Sequence, residues 1–390
     1  MKKSTYILLL VFIWACSTTK VANNSSADIP AQPYIDSIVN QYAPDKRTAL
    51  FKVVRKGTVL SGETNLAEAK AALLEKLYAA NINFVDSIQI LPQQNLQGKH
   101  SAVVSVSVAN LRLLPGHPEE LVTQATLGTP LKVLKKERGW YLVQTPDKYL
   151  AWVEGGMLAF MDTLTFNKWK QSEKLIYTQP FGLAYASPDA QAATVSDLVY
   201  GDVLTTGSRK NGFYEVSFPD GRTAFVPVED AMKYKEWALS RQPTPDNLVQ
   251  SAKQLLGVPY LWGGTSFKGV DCSGFTKTVY FMNGLVLPRD ASQQVNIGEE
   301  IDTKNGWSNL RPGDLLFFGI PAKDTRPERV VHVGMWIGNE EFIQAASMVK
   351  ISSLNAKAPN YDSSEYRRFL RAKRIQPQAA IYDLRKAPLY

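Results

Sequence analysis

The sequence predicts a multidomain chain: a small helix-containing N-terminal domain, two small β-barrels and a final α+β domain. Three observations carry this reading. The chain has 390 residues, more than one typical domain needs. Its hydrophobic pattern changes from helical spacing to strict alternation near residue 101. It changes again near Pro243, where helical segments precede a run of strands. Hydrophobic residues at 45% and charged residues at 21% are ordinary globular proportions. The net charge of +8 is spread without a dense Lys/Arg block, which argues against nucleic acid as a partner.

The first residues read as an export signal. Lys2 and Lys3 precede an apolar run from Tyr6 to Ala15, too short for a permanent span. The run ends at Ala15-Cys16, ahead of the polar stretch Ser17 to Ser26. A small residue before a cysteine at this point resembles the lipobox of bacterial lipoproteins. The resemblance implies a signal peptide over 1–16, lipidation of Cys16 and a tether over 17–30. A multiply acylated Cys16 would hold a membrane more firmly than one chain does. The only other cysteine is Cys272. An unpaired thiol in an exported protein is a candidate for reactivity.

Residues 31–100 form the expected N-terminal domain. Leu66, Ala69, Leu73, Leu74 and Leu77 recur at helical spacing and predict a helix from about Asn65 to Ala80. From Ser101 to Gly156, Val104, Val106 and Val108 alternate with Ser105 and Ser107. Short apolar runs then follow, separated by Pro115-Gly116, Gly128, Gly139 and Pro146-Asp147, which predicts a first barrel over 101–156. A less regular set over 172–232, with a Pro219-Asp220-Gly221 turn, predicts a second barrel of the same kind.

The last domain is expected over 243–374, with a C-terminal extension over 375–390. Asp246 can cap a helix bearing Leu248, Val249, Ala252, Leu255 and Leu256, which ends at Gly257. A second helix should start near Cys272 and end at Asn283-Gly284. Strands follow over Asp314 to Phe318, Val330 to Ile337 and Glu341 to Ala345, with Gly338-Asn339 turning the last pair.

Cys272 lies in Asp271-Cys272-Ser273-Gly274-Phe275, where Asp, Ser and Gly cluster at the predicted helix start. Unpaired N–H groups and the helix dipole there would favour a thiolate. Such a nucleophile needs a base. Of the three histidines only His332 falls in this domain, on a strand face shared with Gly334 and Trp336. One Cys and one His are too few ligands for an ordinary zinc site, so no metal is expected.

These residues sit in three ordered blocks. Asp271-Cys272-Ser273-Gly274-Phe275, Arg311-Pro312-Gly313-Asp314-Leu315 with Phe317-Phe318, and His332-Val333-Gly334 resemble the signatures of the NlpC/P60 cysteine peptidases. The resemblance implies a papain-like α+β fold without cofactor, preceded by SH3-like barrels as in the γ-D-glutamyl-L-diamino-acid endopeptidases of the family (dipeptidyl-peptidase VI type). It implies Cys272 as nucleophile and His332 as general base. The third family position is often a histidine; here it is Gln344, whose oxygen can accept the ring N–H but carries no charge.

The resemblance extends to substrate. In the related endopeptidases an acid and a tyrosine of the first barrel border the active site, and the acid reads the free amine of an N-terminal L-Ala. Glu120 and Tyr149 fit those positions, with Glu119 adjacent. A buried carboxylate there would discriminate strongly against an acylated amine. Tyr149 would support the bound dipeptide or orient the nucleophile through its hydroxyl. Asp271 and Ser273 flank the nucleophile as candidate substrate contacts, although Asp271 suits a helix cap equally well. The expected partners are thus murein stem peptides, L-Ala-γ-D-Glu-diamino acid with meso-diaminopimelate or L-Lys. Alternatives are an endopeptidase on intact wall and a non-catalytic wall-binding protein. The expected setting is the periplasmic face of a Gram-negative membrane, the outer one by the lack of an acidic residue soon after Cys16, with the protein monomeric.

Overall fold

A computed structural model describes residues 30–376 and 381–386. Cys16, the signal segment and nearly all of the expected tether lie outside the described residues.

The N-terminal unit is richer than its expected single helix. Helix Gln32–Tyr42 opens with Pro33 in its first turn and buries Ile35 and Ile38. Strands Phe51–Lys56 and Val59–Thr64 form a hairpin, and Val85–Ile90 runs parallel to the second of them. The crossover is helix Ala67–Ala79, with Ala69, Leu73 and Leu77 fully buried at every fourth position. The predicted helix is therefore present and starts two residues late, with Leu66 at its N-cap.

Two seven-stranded sheets follow, Ser101–Met161 and Lys174–Lys233, each around its own apolar core. Their connectivity is identical. In both, the seventh strand pairs with the first, the first with the fourth, and the fourth to sixth run consecutively; the sixth joins the second, which carries the third. The first unit extends past the expected boundary at residue 156. After the turn Gly155–Met157, strand Leu158–Met161 returns to pair antiparallel with Ser101–Val104. A four-residue strand behind a one-turn helix leaves almost no alternation to read.

The last unit is a six-stranded antiparallel sheet with helices Cys272–Met282 and Ala291–Gln294 against it and helix Pro245–Gln254 packed on the first of these. Its order is Glu299–Ile301, Phe369–Arg374, Leu315–Ile320, Arg329–Gly338, Glu341–Ala346, Met348–Ser353. Leu315–Ile320 is central and its first five residues are buried, so it reads as an unbroken apolar run. The hairpin turn sits one residue beyond the expected pair. Gly338 pairs with Glu341, and Asn339 and Glu340 are the two loop residues, both at positive φ. Beyond residue 375, Ile381 and Leu384 are buried and Tyr382–Asp383 pairs with Leu285–Val286, so the extension packs on this unit.

The first seven-stranded unit is docked against the nucleophile helix and the loop before it. Asp147 pairs with Lys277 on helix Cys272–Met282. Gln124 Oε1 accepts from Thr265 N–H at 3.0 Å and from the Ser266 hydroxyl at 3.1 Å. These contacts bring the first barrel to the mouth of the site.

Candidate active site

Helix Cys272–Met282 begins at the nucleophile because Asp271 caps it, accepting from Gly274 N–H at 2.7 Å. Gly274 is required by close approach. A Cβ there would lie 1.9 Å from the Gly264 carbonyl oxygen, so the loop could not press against the helix start. The Asp271 carboxylate is otherwise occupied by Gly263 N–H at 2.9 Å and by both Nη atoms of Arg289, at 3.0 and 2.5 Å. Asp271 thus caps the helix and pairs a buried arginine, although it also lines the groove. Ser273 accepts from Arg289 at 3.0 Å and keeps its place on the groove floor.

The thiol does not follow the sequence expectation of a favoured thiolate. Cys272 is only 8% exposed, and burial pushes its pKa up to about 12, with the Asp271 carboxylate adding to the rise. Hydrogen bonds from the main-chain N–H groups of Val333 and Ser273, and the Arg289 charge, act in the opposite sense without cancelling it. Desolvation outweighs the helix start, so the resting group is a neutral thiol.

His332 lies on strand Arg329–Gly338, buried, with its ring 5.8 Å from that of Phe318. Its Nε2 meets Gln344 Oε1 at 2.6 Å. The amide cannot flip: Gln344 Nε2 donates to Ser352 Oγ at 2.8 Å and to Asp362 Oδ2 at 2.9 Å. The oxygen therefore faces the histidine, Nε2 carries the proton that it accepts, and Nδ1 is left as the base. Burial lowers the His332 pKa, while Glu365, Gln344 and Asp362 pull it back up and Arg368 does not. The imidazole is neutral at neutral pH, the state a base must be in. Gln344→Leu is expected to lower kcat about tenfold with KM nearly unchanged, since it removes ring orientation and leaves the groove intact. Steady-state kinetics on the variant check this.

The cavity over Cys272 has a volume of about 500 Å³ and is lined by Glu120, Tyr149, Trp262, Ser273, Asp290 and Arg47, among others. Glu120 Oε1 accepts from Trp262 Nε1 at 2.8 Å, which places the carboxylate at the groove edge. Glu119 is not on the wall; its carbonyl accepts from Arg112. Glu120 is exposed rather than buried, so its discrimination must be weaker than a desolvated carboxylate would give. Tyr149 is buried and its hydroxyl donates to Asp290 Oδ2 at 3.1 Å, so it supports that carboxylate and not the nucleophile. Its own pKa is raised by burial and by the Asp290 charge, which keeps the hydroxyl protonated.

Of the residues expected in the site, Cys272, Glu120, Tyr149, Asp271 and Ser273 share one groove, with His332 and Gln344 buried in the sheet behind it. Sequence reasoning missed Arg47, Trp262, Asp290, Ser352 and Asp362. Asp290-Ala291-Ser292-Gln293 reads as a helix cap, and Asp290 N–H does donate to Gln293 Oε1, but nothing in it signals a groove wall.

A thiol at a helix start, an imidazole on the adjoining strand and an amide fixing its tautomer define a cysteine peptidase of papain-like layout. Residues 257–368 match the NlpC/P60 family and residues 107–159 match the bacterial SH3 domain. A γ-D-glutamyl-L-lysine dipeptidyl-peptidase of Bacillus cereus is 32% identical over 260 residues, 64% of this chain and 76% of that protein. Dipeptidyl-peptidase 6 of Lysinibacillus sphaericus is 27% identical over 67% of this chain and 94% of its own length. The crystal structure of an NlpC/P60 family protein from Bacillus cereus, 27% identical, superposes with a TM-score of 0.59, covering 71% of this chain and all of that one. The chain belongs to the NlpC/P60 family of cysteine peptidases, and its class of activity is that of an endopeptidase on cell-wall peptides.

Proposed function

We propose that this enzyme hydrolyses the bond between γ-D-Glu and the L-diamino acid of murein stem peptides that begin with a free L-Ala. The observation that supports this best is the groove wall. A carboxylate from the first barrel, Glu120, stands in the same cavity as Cys272, where it can pair with a peptide ammonium. Cys272 attacks the γ-carbonyl as His332 Nδ1 takes the thiol proton. The proton then passes to the departing amine, leaving an L-Ala-γ-D-Glu thioester that water hydrolyses. The enzyme is incubated with L-Ala-γ-D-Glu-L-Lys and its meso-diaminopimelate counterpart, and the products are weighed by mass spectrometry. Release of L-Ala-γ-D-Glu is expected; faster release of peptide from intact sacculi would overturn the preference for free stems.

Glu120→Gln tests the amine reading directly. A hydrogen bond to a charged group is worth about 1.5–3 kcal/mol, and the exposure of Glu120 places the loss near the lower end, about tenfold in kcat/KM. The loss should fall on the free peptide and spare its N-acetylated form. Equal losses on both would remove Glu120 from amine recognition, and Glu119→Gln serves as the neighbouring control.

The second seven-stranded unit is further proposed to be a second SH3-like module, a reading that its identical strand order supports. The protein is further proposed to be a monomer, lipidated at Cys16 and attached to the periplasmic side of a Gram-negative outer membrane. The apolar run ending at Ala15-Cys16 supports this placement. Cys16→Ala should move the protein from the membrane fraction to the soluble one. Undiminished membrane recovery would argue against lipidation.

A further inference from the structure

The N-terminal unit plays no part in the chemistry so far, yet it places a side chain in the groove. Arg47 lies between helix Gln32–Tyr42 and strand Phe51–Lys56 and lines the same cavity as Cys272, Glu120 and Tyr149. Its guanidinium is held from two sides. Nε and Nη2 donate to the two oxygens of Asp45, each at 2.8 Å. Nη1 donates to Asp290 Oδ2 at 2.8 Å and to Ser292 Oγ at 2.8 Å. Asp45 is fixed in turn by Gln293 Nε2 at 2.7 Å. The main chain is anchored on the first barrel, where Leu150 N–H donates to the Arg47 carbonyl at 2.7 Å and Gln144 Nε2 to the Thr48 carbonyl at 3.0 Å. Three parts of the chain, far apart in sequence, thus converge on one planar cation.

The charges on the wall explain what such a cation can do. Glu120 and Asp290 both face the groove, but a peptide ammonium needs only one carboxylate. Arg47 lies against Asp290 at 2.8 Å, with Arg289 farther off at 4.0 Å, whereas among the described residues Glu120 is met by the neutral indole N–H of Trp262. The guanidinium also occupies the wall of the cavity that Glu120 and Tyr149 line. Resting on that reading of the amine, we propose that Arg47 is a specificity-determining residue: it cancels Asp290 and closes the acyl end of the groove against substituents on the substrate amine. The N-terminal unit then selects stem peptides already freed from glycan.

The test measures kcat/KM of the full chain on L-Ala-γ-D-Glu-L-Lys and on its N-acetylated form. Arg47→Ala opens the end and takes the nearer cation from Asp290, leaving Arg289 at 4.0 Å, and should narrow the ratio of the two values about tenfold or more. Arg47→Gln should narrow it too, because it keeps the polar contact but removes the charge. Glu63→Gln weakens the ion pair with Lys135 that joins the N-terminal unit to the first barrel away from the groove, and should keep the parent ratio. An unchanged Tm and alkylation rate of Cys272 certify each variant as folded. The inference is overturned if Arg47→Ala and Arg47→Gln both retain the parent ratio or widen it. It is equally overturned if Glu63→Gln collapses the ratio as far as they do. A parent that takes both peptides equally overturns the amine reading, and this inference with it; discrimination kept in the Arg47 variants overturns this inference alone.

Discussion

Cys272→Ser is expected to lower peptide hydrolysis by about four orders of magnitude or more, with folding unaffected. The size follows from the setting. The sulfur sits buried at the start of helix Cys272–Met282, takes hydrogen bonds from Val333 and Ser273 N–H, and is the sole cysteine among the described residues. A serine hydroxyl fits the same space but yields its proton to a neutral imidazole less readily and is a far poorer nucleophile toward the carbonyl here. The measurement is single-turnover hydrolysis of the stem tripeptide, with Tm as the folding control. Hydrolysis at the parent rate would remove the thiol from the mechanism.

His332→Ala should lower kcat/KM by about three orders of magnitude, and the pH profile of what remains carries the sharper information. In the parent, the base is an imidazole whose pKa burial has lowered. Activity should then fall only as the pH drops through that lowered value, which puts the acid limb below pH 6.5. No alkaline step from the thiol is expected in the working range, since burial holds Cys272 up to about 12. Without His332 the thiol must ionise unaided, and the residual rate should climb with pH without a plateau through pH 10. A residual rate independent of pH would mean that Cys272 is already a thiolate at rest.

The two profiles follow from a pair that is not charged until it reacts. With the thiol pKa raised and the imidazole pKa lowered, a standing thiolate–imidazolium pair is unfavourable in the free enzyme. Proton transfer is then coupled to carbon–sulfur bond formation, in which the new bond removes the charge from sulfur. Gln344 suits this better than its lack of charge suggests. It needs only to hold Nε2–H, and its own amide is locked by Ser352 and Asp362.

Local sequence determined much of this protein. The Asp271-Cys272-Ser273-Gly274 run fixes a helix start, because a carboxylate cap, a small residue and a close-packed glycine are all needed there. Short apolar runs between turn residues marked the barrels, although the alternating Val104–Val108 stretch spans the break between strands Ser101–Val104 and Val108–Arg112, and an apolar run without alternation marked the central strand Leu315–Ile320. These are short-range properties, set by backbone periodicity and capping, and they survive without knowledge of the partner segments.

What the tertiary structure alone decided were the thiol's protonation and the groove's far wall. A helix start argues for a thiolate; only the packing of strand Arg329–Gly338 over Cys272 shows that desolvation prevails. Likewise Arg47 and Asp290 are separated by 243 residues, and each reads alone as a surface charge. They meet because the N-terminal unit docks on the first barrel and the barrel docks on the nucleophile helix and the loop before it. Desolvation and charge pairing depend on everything within a few ångströms in space, which no window of sequence contains.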